Sequence, residues 1–298
     1  MILYLYEYQY PFIHHIILDL SNSSTIIKSI TTIRGGHAEL KQDSLTIEEA
    51  LVIKVSVPTA QPPIEGKNIS IVMRTPGADV DLALGFLFTE GILTTFSQVN
   101  DVRMMGSSIE VVLNESEDID FSKNEKRFYK LIRRGVSRKV NIESIKSVCS
   151  LDLTTGSMRI GKGLILGFPR RLRSGQRVYN DLESLYAAAL FDQGGRLLSF
   201  REDLESHYAL DKLIGHYFQE GKSLLNSGIL FLNGGVGFEL IQKAAMAGIQ
   251  MVLASGSPSS LAVDLAREFD ITLIGCLKAD RYNIYHDSGR VVIEDDMI

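Results

Sequence analysis

The spacing of apolar and polar positions divides the chain into two styles. Residues 51–57 (LVIKVSV) alternate and are rich in β-branched side chains, which predicts a strand. Gln61-Pro62-Pro63 breaks the pattern, residues 69–74 (ISIVMR) predict a second strand, and Thr75-Pro76-Gly77 predicts a turn. Residues 79–90 then read as a helix, with Leu82, Leu84, Phe86, Leu87 and Phe88 giving it apolar faces. Residues 102–105 and 109–113 read as short strands of a meander, and the polar, acidic run 114–126 as an exposed connection. Residues 141–149 predict a short helix with Asn141 as N-cap. Residues 161–177, with glycines, Pro169 and four arginines, read as a linker or flap.

From residue 179 onward, helix-like and strand-like segments alternate. Helices are predicted to residue 191 and over 206–220, 238–247 and 259–269. Strands are predicted over 197–200, 229–232, 251–254, 272–277 and 282–285. That alternation implies βαβ units around a largely parallel, buried sheet. The expected organisation is an N-terminal extension (1–44), a mainly β region (45–130), a basic loop with short helix and linker (131–178), and an α/β cofactor-binding domain (179–298).

Composition narrows the function classes. The chain has 298 residues, 45% of them hydrophobic and 22% charged, the balance of a globular protein with a sizeable core. Its net charge of −5, from 36 acidic and 31 basic residues, argues against general nucleic-acid binding. Two cysteines, Cys149 and Cys276, make neither a disulfide framework nor a thiolate zinc site, so no zinc and a reducing, cytoplasmic compartment are expected. The apolar run 1–20 lacks Lys and Arg and contains Glu7, His14, His15 and Asp19. It reads as an extra strand or two, an oligomer contact or a misassigned start rather than a signal peptide or membrane span.

Candidate chemistry sits in the turns. Residues 229–232 run directly into Asn233-Gly234-Gly235-Val236-Gly237 and then a helix. Glycines admit close approach of a ligand, and a helix N-terminus offers free N–H groups, so the turn suits a phosphate; a tight glycine turn without ligand is the alternative. Ser255-Gly256-Ser257-Pro258-Ser259-Ser260 follows the next strand; its serines either cap a helix or contact a ligand as well. In open α/β sheets two such turns converge beyond the strands' carboxyl ends. The acidic run Glu202-Asp203-Leu204-Glu205-Ser206-His207 suits either acid–base work or a capped helix start in which His207 meets Asp211. His37-Ala38-Glu39 has the H-x-E of zinc deaminases but no P-C-x-x-C to complete it. Arg133, Arg134, Arg138 and Lys139, with Arg170, Arg171 and Arg173, form either an anion-binding cluster or a solvated basic loop.

Several segments in order complete the picture: Met73-Arg74-Thr75-Pro76-Gly77 with 81–91 (DLALGFLFTEG); Arg201-Glu202-Asp203 with His207 and 209–212 (ALDK); Gly234 with 238–243 (FELIQK); 257–263 (SPSSLAV); and 281–285 (RYNIY). Together they resemble the formate dehydrogenase accessory proteins, a family of sulfur carriers. The resemblance implies an α+β / α/β fold, with a mainly β N-terminal region and a C-terminal three-layer α/β domain similar to cytidine deaminases. It implies a homodimer that takes sulfur, as a persulfide, from a cysteine desulfurase and passes it to the molybdenum bis-guanine-dinucleotide cofactor of formate dehydrogenase. It also places a cofactor-binding stretch at Cys276, Leu277, Lys278, Ala279, Asp280 and Arg281, to which the turn reading adds Asn233, Gly234, Gly235, Ser257 and Ser259 as candidate contacts.

The chain departs from the family at the persulfide loop. Arg134-Gly135-Val136-Ser137 stands where the family has Cys-Gly-Val-Cys, and neither Arg134 nor Ser137 supplies the thiolate that a persulfide requires. Cys149, one short helix further on, is either a displaced thiol or a buried structural cysteine. Residues 183–189 (ESLYAAA) replace Gly-Gly-Val-His-Ala-Ala-Ala, Glu205-Ser206-His207 replaces Gly-Arg-His, and Asn233-Gly234-Gly235 replaces Ser-Gly-Arg. Two functions are therefore expected: sulfurtransferase, or a catalytically silent paralogue that binds the guanine-dinucleotide cofactor or another nucleotide as a chaperone or docking protein.

Overall fold

A computed structural model of the protein describes residues 24–114, 158–175, 185–220 and 223–293. The predicted exposed connection beyond residue 114, the short helix at 141–149, Arg133, Arg134, Ser137, Arg138, Lys139 and Cys149, and the apolar run 1–20 all lie outside the described residues.

The first described element is an antiparallel hairpin, β1 (Thr25–Arg34) and β2 (His37–Thr46), turning at Gly35-Gly36 with both glycines at positive φ. A four-stranded sheet follows. Its strands are β3 (Glu49–Val57), β4 (Ile64–Arg74), β5 (Val99–Met105) and β6 (Ser108–Leu113), in the order β4-β3-β6-β5. Leu51, Ile53, Val55 and Val57 alternate inward from β3 and are fully buried, as the period of two requires. Helix α1 (Asp79–Thr89) lies against this sheet.

The run read as a linker or flap is instead ordered and packed. It forms β7 (Ile160–Gly161), α2 (Lys162–Ile165) and α3 (Phe168–Gly175). Pro169 stands at the second position of α3, where a missing N–H costs nothing. Ile160, Ile165, Phe168 and Leu172 are buried, and this burial is what orders a segment whose composition reads as a loop.

The second sheet has six strands in the order β13-β12-β11-β10-β8-β9. These are β8 (Tyr186–Phe191), β9 (Leu197–Asp203), β10 (Ile229–Leu232), β11 (Met251–Ala254), β12 (Thr272–Gly275) and β13 (Asn283–His286). Helices α4 (Ser206–Gln219), α5 (Ser223–Ser227), α6 (Phe238–Met246) and α7 (Ser260–Glu268) connect them, and β14 (Val291–Val292) closes the described chain beside β7. Ala188, Leu190, Leu230, Leu232, Val252, Ala254 and Leu273 face one core with α1, α4, α6, α7 and the four-stranded sheet. Ala187, Ala189, Phe191, Ile229, Phe231, Met251, Leu253 and Ile274 face a second core with α2 and α3. The C-terminal half is therefore three-layered, with the sheet buried on both faces.

Two expectations are corrected. The segment up to residue 191, read as a helix from its alanines, is strand β8 over its described residues. It lies between β9 and β10, where small side chains on both faces fit a doubly covered position, and packing overrides the helix preference of alanine. The sheet is mixed rather than largely parallel: only β10–β11 and β11–β12 pair in parallel. β8 and β9 are a hairpin turning at Asp192–Arg196, and β13 returns antiparallel along β12.

Candidate functional site

The turns after β10, β11 and β12 lie side by side at the carboxyl end of the parallel strands. Gly256 N donates to Gly234 O (2.9 Å), Val236 N to Ser257 O (3.2 Å), Ser259 N to Val236 O (2.9 Å) and Cys276 N to Gly256 O (2.8 Å). Glycine is required for this stacking: a Cβ on Gly256 would lie 2.6 Å from the Gly235 nitrogen. Gly234 lies under the ring of Tyr186, and a Cβ there would meet that ring at 2.7 Å. The Tyr186 side chain is nonetheless exposed, so it forms an aromatic wall beside the turns.

The predicted site residues divide by role. The Asn233 side chain is committed to the scaffold, its Oδ1 accepting from Ala187 N (2.7 Å) and its Nδ2 donating to Leu185 O (3.0 Å). Ser259 caps α7 by accepting from Ala262 N (3.1 Å), and Leu277 is buried. Gly235 and Ser257 are exposed, and among the described residues their amides donate to no backbone acceptor. Lys278, Ala279, Asp280 and Arg281 form an exposed turn closed by Lys278 N donating to Arg281 O (2.8 Å). Cys276 has φ 53°, and its Sγ lies 3.4 Å from the Tyr285 hydroxyl. The Gly235 and Ser257 amides, each two residues before a helix N-cap, two exposed cations and an aromatic face make a surface suited to a phosphate-bearing aromatic ligand.

A second feature lies on the same side of the sheet: a cavity of about 270 Å³ lined by Thr75, Gly77, Ala78, Leu185, Arg201 and Lys212. Gly77 and Ala78 have φ of 107° and 54°, the left-handed region that the tight Thr75–Ala78 turn demands. Fully buried Asp203 accepts from Lys212 Nζ (2.7 Å) and from Thr75 N (3.2 Å). Lys212 Nζ also donates to the carbonyls of Thr75 (2.8 Å) and Glu202 (3.3 Å). Burial holds the Lys212 ammonium below its usual pKa, against the attraction of Asp203. With three acceptors around its Nζ, Lys212 acts as a clamp that fixes the turn, rather than as a free nucleophile.

The acidic helix start serves the same purpose. Among its described contacts, Asp211 bonds not to His207 but to Lys243 Nζ (2.9 Å) and Thr89 Oγ1 (2.8 Å), joining α4, α6 and α1. Burial lowers the Lys243 pKa, but the charges of Asp211 and Glu90 more than offset this and hold it above the ordinary range. Burial pushes the Glu90 carboxyl up to about 7, against Lys243 and with Asp211 adding to the rise. Arg201 pairs with Asp81 (2.8 Å), and Arg74 forks onto Asp79 (2.7 and 2.8 Å). Of the two arginine groups predicted to act together, Arg170 and Arg171 lie at the opposite end of the six-stranded sheet from the glycine turns, in a cleft with Arg196, while exposed Arg173 donates to Pro169 O (3.5 Å). Sequence reading missed Tyr186 and the Asp203–Lys212 pair; the family-matching segments around residues 75, 203 and 212 were the available signal.

The fold defines a class: an α/β protein whose two sheets are tied through α1 and α4, with three glycine- and serine-bearing turns packed together at the carboxyl ends of its parallel strands. The FdhD/NarQ family model matches residues 61–292, and the chain belongs to that family. It is 35% identical over 283 residues to the sulfur carrier protein FdhD of Streptomyces avermitilis, covering 89% of this chain and 95% of the relative. It is 33% identical over 277 residues to that of Mycolicibacterium paratuberculosis, with 89% and 97% covered. The sulfur carrier protein FdhD of Picrophilus torridus is 34% identical over 268 residues, with 89% and 98% covered. A crystal structure described as a formate dehydrogenase accessory protein from Desulfotalea psychrophila superposes with a TM-score of 0.67 over 91% of this chain and all of the other, at 19% identity, which is a likeness of fold. No helix among the described residues is long and apolar enough to cross a membrane.

Proposed function

We propose that this protein is a cytoplasmic maturation factor of formate dehydrogenase that receives the molybdenum bis-guanine-dinucleotide cofactor as cargo on the three converging turns. The observation that carries the reading is the juxtaposition of the free Gly235 and Ser257 amides, the exposed Lys278 and Arg281, and the Tyr186 ring. The amides and the two cations bind phosphates, and the tyrosine ring stacks on a guanine. That its relatives are sulfur carrier proteins supports delivery of sulfur to that cargo. In this reading a cysteine desulfurase supplies the sulfur, formate dehydrogenase receives the cofactor, and a second copy of the chain is the partner.

One observation favours a second reading. Arg134 and Ser137 occupy the family's cysteine positions, so the chain binds the cofactor without passing sulfur through that loop. Two measurements separate the readings. Calorimetry with GDP is expected to show binding that weakens about tenfold in Arg281→Ala. Incubation with a cysteine desulfurase and labelled cysteine, followed by mass spectrometry, is expected to label Cys149 or Cys276 if sulfur transfer is retained. Binding without label supports the silent chaperone; neither binding nor label overturns both.

A further inference from the structure

We propose that the protein carries a second anion site, at the far end of the six-stranded sheet, that takes the phosphate groups of a small polyanionic ligand. The place is a cleft of about 530 Å³ between α3 and the β8–β9 turn, lined by Gly167, Arg170, Arg171, Ser174, Gly195 and Arg196. It is separate from the cofactor seat. Tyr186, at one end of β8, stands over the glycine turns; Phe191, at the other end, leads into the turn that carries Gly195 and Arg196. Five strand steps, roughly 17 Å, divide the two.

Three features build the site. The first is the fixed position of Arg171. Its guanidinium lies across Gly167 and Gly195, where an added Cβ would come within 2.7 and 2.8 Å of Nη1, and it lies 5.7 Å from the centre of the Phe168 ring. Nη1 donates to Leu164 O (3.3 Å), so the group is oriented before any ligand arrives. Two glycines on opposing segments thus clear the space that this one cation fills.

The second is an excess of positive charge. Among the described residues, Asp192 is the only carboxylate paired with these three arginines, through Arg196 at 3.3 Å. The Arg170 guanidinium is exposed and makes no hydrogen bond or ion pair with a described residue. Three guanidinium groups sharing one carboxylate repel one another, and an oxyanion between them relieves that repulsion while accepting forked hydrogen bonds. The third is size: the cleft is in the range of small-molecule sites.

The probe is inorganic pyrophosphate, titrated calorimetrically into the full-length protein carrying Lys278→Ala and Arg281→Ala, so that the cofactor seat is weakened beforehand. Binding is expected to persist in that background. Adding Arg170→Ala and Arg196→Ala, both at exposed positions, is expected to weaken it tenfold or more with an unchanged circular dichroism spectrum. Gly167→Ala, which displaces the Arg171 guanidinium, is expected to weaken it as well. Pyrophosphate binding lost with Lys278 and Arg281 alone, absent altogether, or indifferent to Arg170 and Arg196 would overturn the second site. GDP binding to the unmodified protein is read separately, so failure of this cleft leaves the cofactor seat standing, and the reverse also holds.

Discussion

Gly85 of α1 faces Asp211 of α4 so closely that a Cβ on the glycine would lie 1.9 Å from the Asp211 carbonyl oxygen. The contact is reciprocal, since a Cβ on Gly215 would lie 1.8 Å from the Asp81 carbonyl oxygen. This crossing holds the two helices at backbone contact and sets the spacing of the charged pairs on either side of it.

Gly85→Ala should therefore force the helices apart, because backbone atoms, unlike a flexible side-chain end, cannot move aside. The expected loss is about 3 kcal/mol or more, at the upper end for overpacked positions, measured by urea denaturation. Gly163→Ala, at a position with open space around it, serves as the control and should change stability by less than about 1 kcal/mol.

The Asp203–Lys212 pair is buried at both ends. Lys212→Met leaves a carboxylate without its counter-ion, and the expected cost is roughly 3–5 kcal/mol. Lys212→Met combined with Asp203→Leu should recover part of that loss, because an apolar pair leaves no orphaned charge. A double variant no more stable than Lys212→Met would show that the Thr75 contacts, rather than the ion pair, dominate.

Glu90 gives stability a pH dependence. Its folded pKa of about 7 lies above the unfolded value near 4.5, so the folded state holds the extra proton. That contribution is complete below about pH 4.5 and is lost as the pH rises through 7. Its size is on the order of 3 kcal/mol for a largely buried carboxyl. Glu90→Gln, which stays neutral, should flatten this part of the profile in urea denaturation series between pH 4.5 and 8. An unchanged slope would place the titration elsewhere.

Tyr186 is exposed while its neighbours Ala187 to Phe191 are buried, so the proposed stacking role can be separated from packing. Tyr186→Ala should leave thermal stability within about 1 kcal/mol of the parent. The same change should weaken GDP binding in calorimetry by a stacking contribution of about 1–3 kcal/mol. Tyr186→Phe should bind as the parent does.

Strand β3 was legible from its alternating β-branched residues, and β10 and β11 because each is a short apolar run ended by a glycine- or serine-rich turn. Strand β8 was not, because Tyr-Ala-Ala-Ala-Leu-Phe scores as a helix locally and becomes a strand only between β9 and β10. The sheet's mixed direction was hidden for a related reason: the Gly194-Gly195 pair marks a hairpin only when the segment before it is a strand. In the site, the glycine and serine turns were visible as composition. The clamp was not, since Lys212 meets Thr75 across 137 residues and Asp203 meets it across 128, separations to which periodicity is blind. Asn233 and Ser259 were ambiguous for a related reason: a polar side chain in a turn looks identical whether it faces a ligand or the neighbouring backbone.

The reach of that clamp has a consequence for how the protein is made. A nascent chain that has exposed only its first two hundred residues holds the segments of the four-stranded sheet and α1, but neither Asp203 nor Lys212. Its Thr75 amide and carbonyl then have no interior partner, and the face of α1 that will cover Gly215 is still open to solvent. The Thr75–Ala78 turn can therefore be fastened only after α4 has emerged.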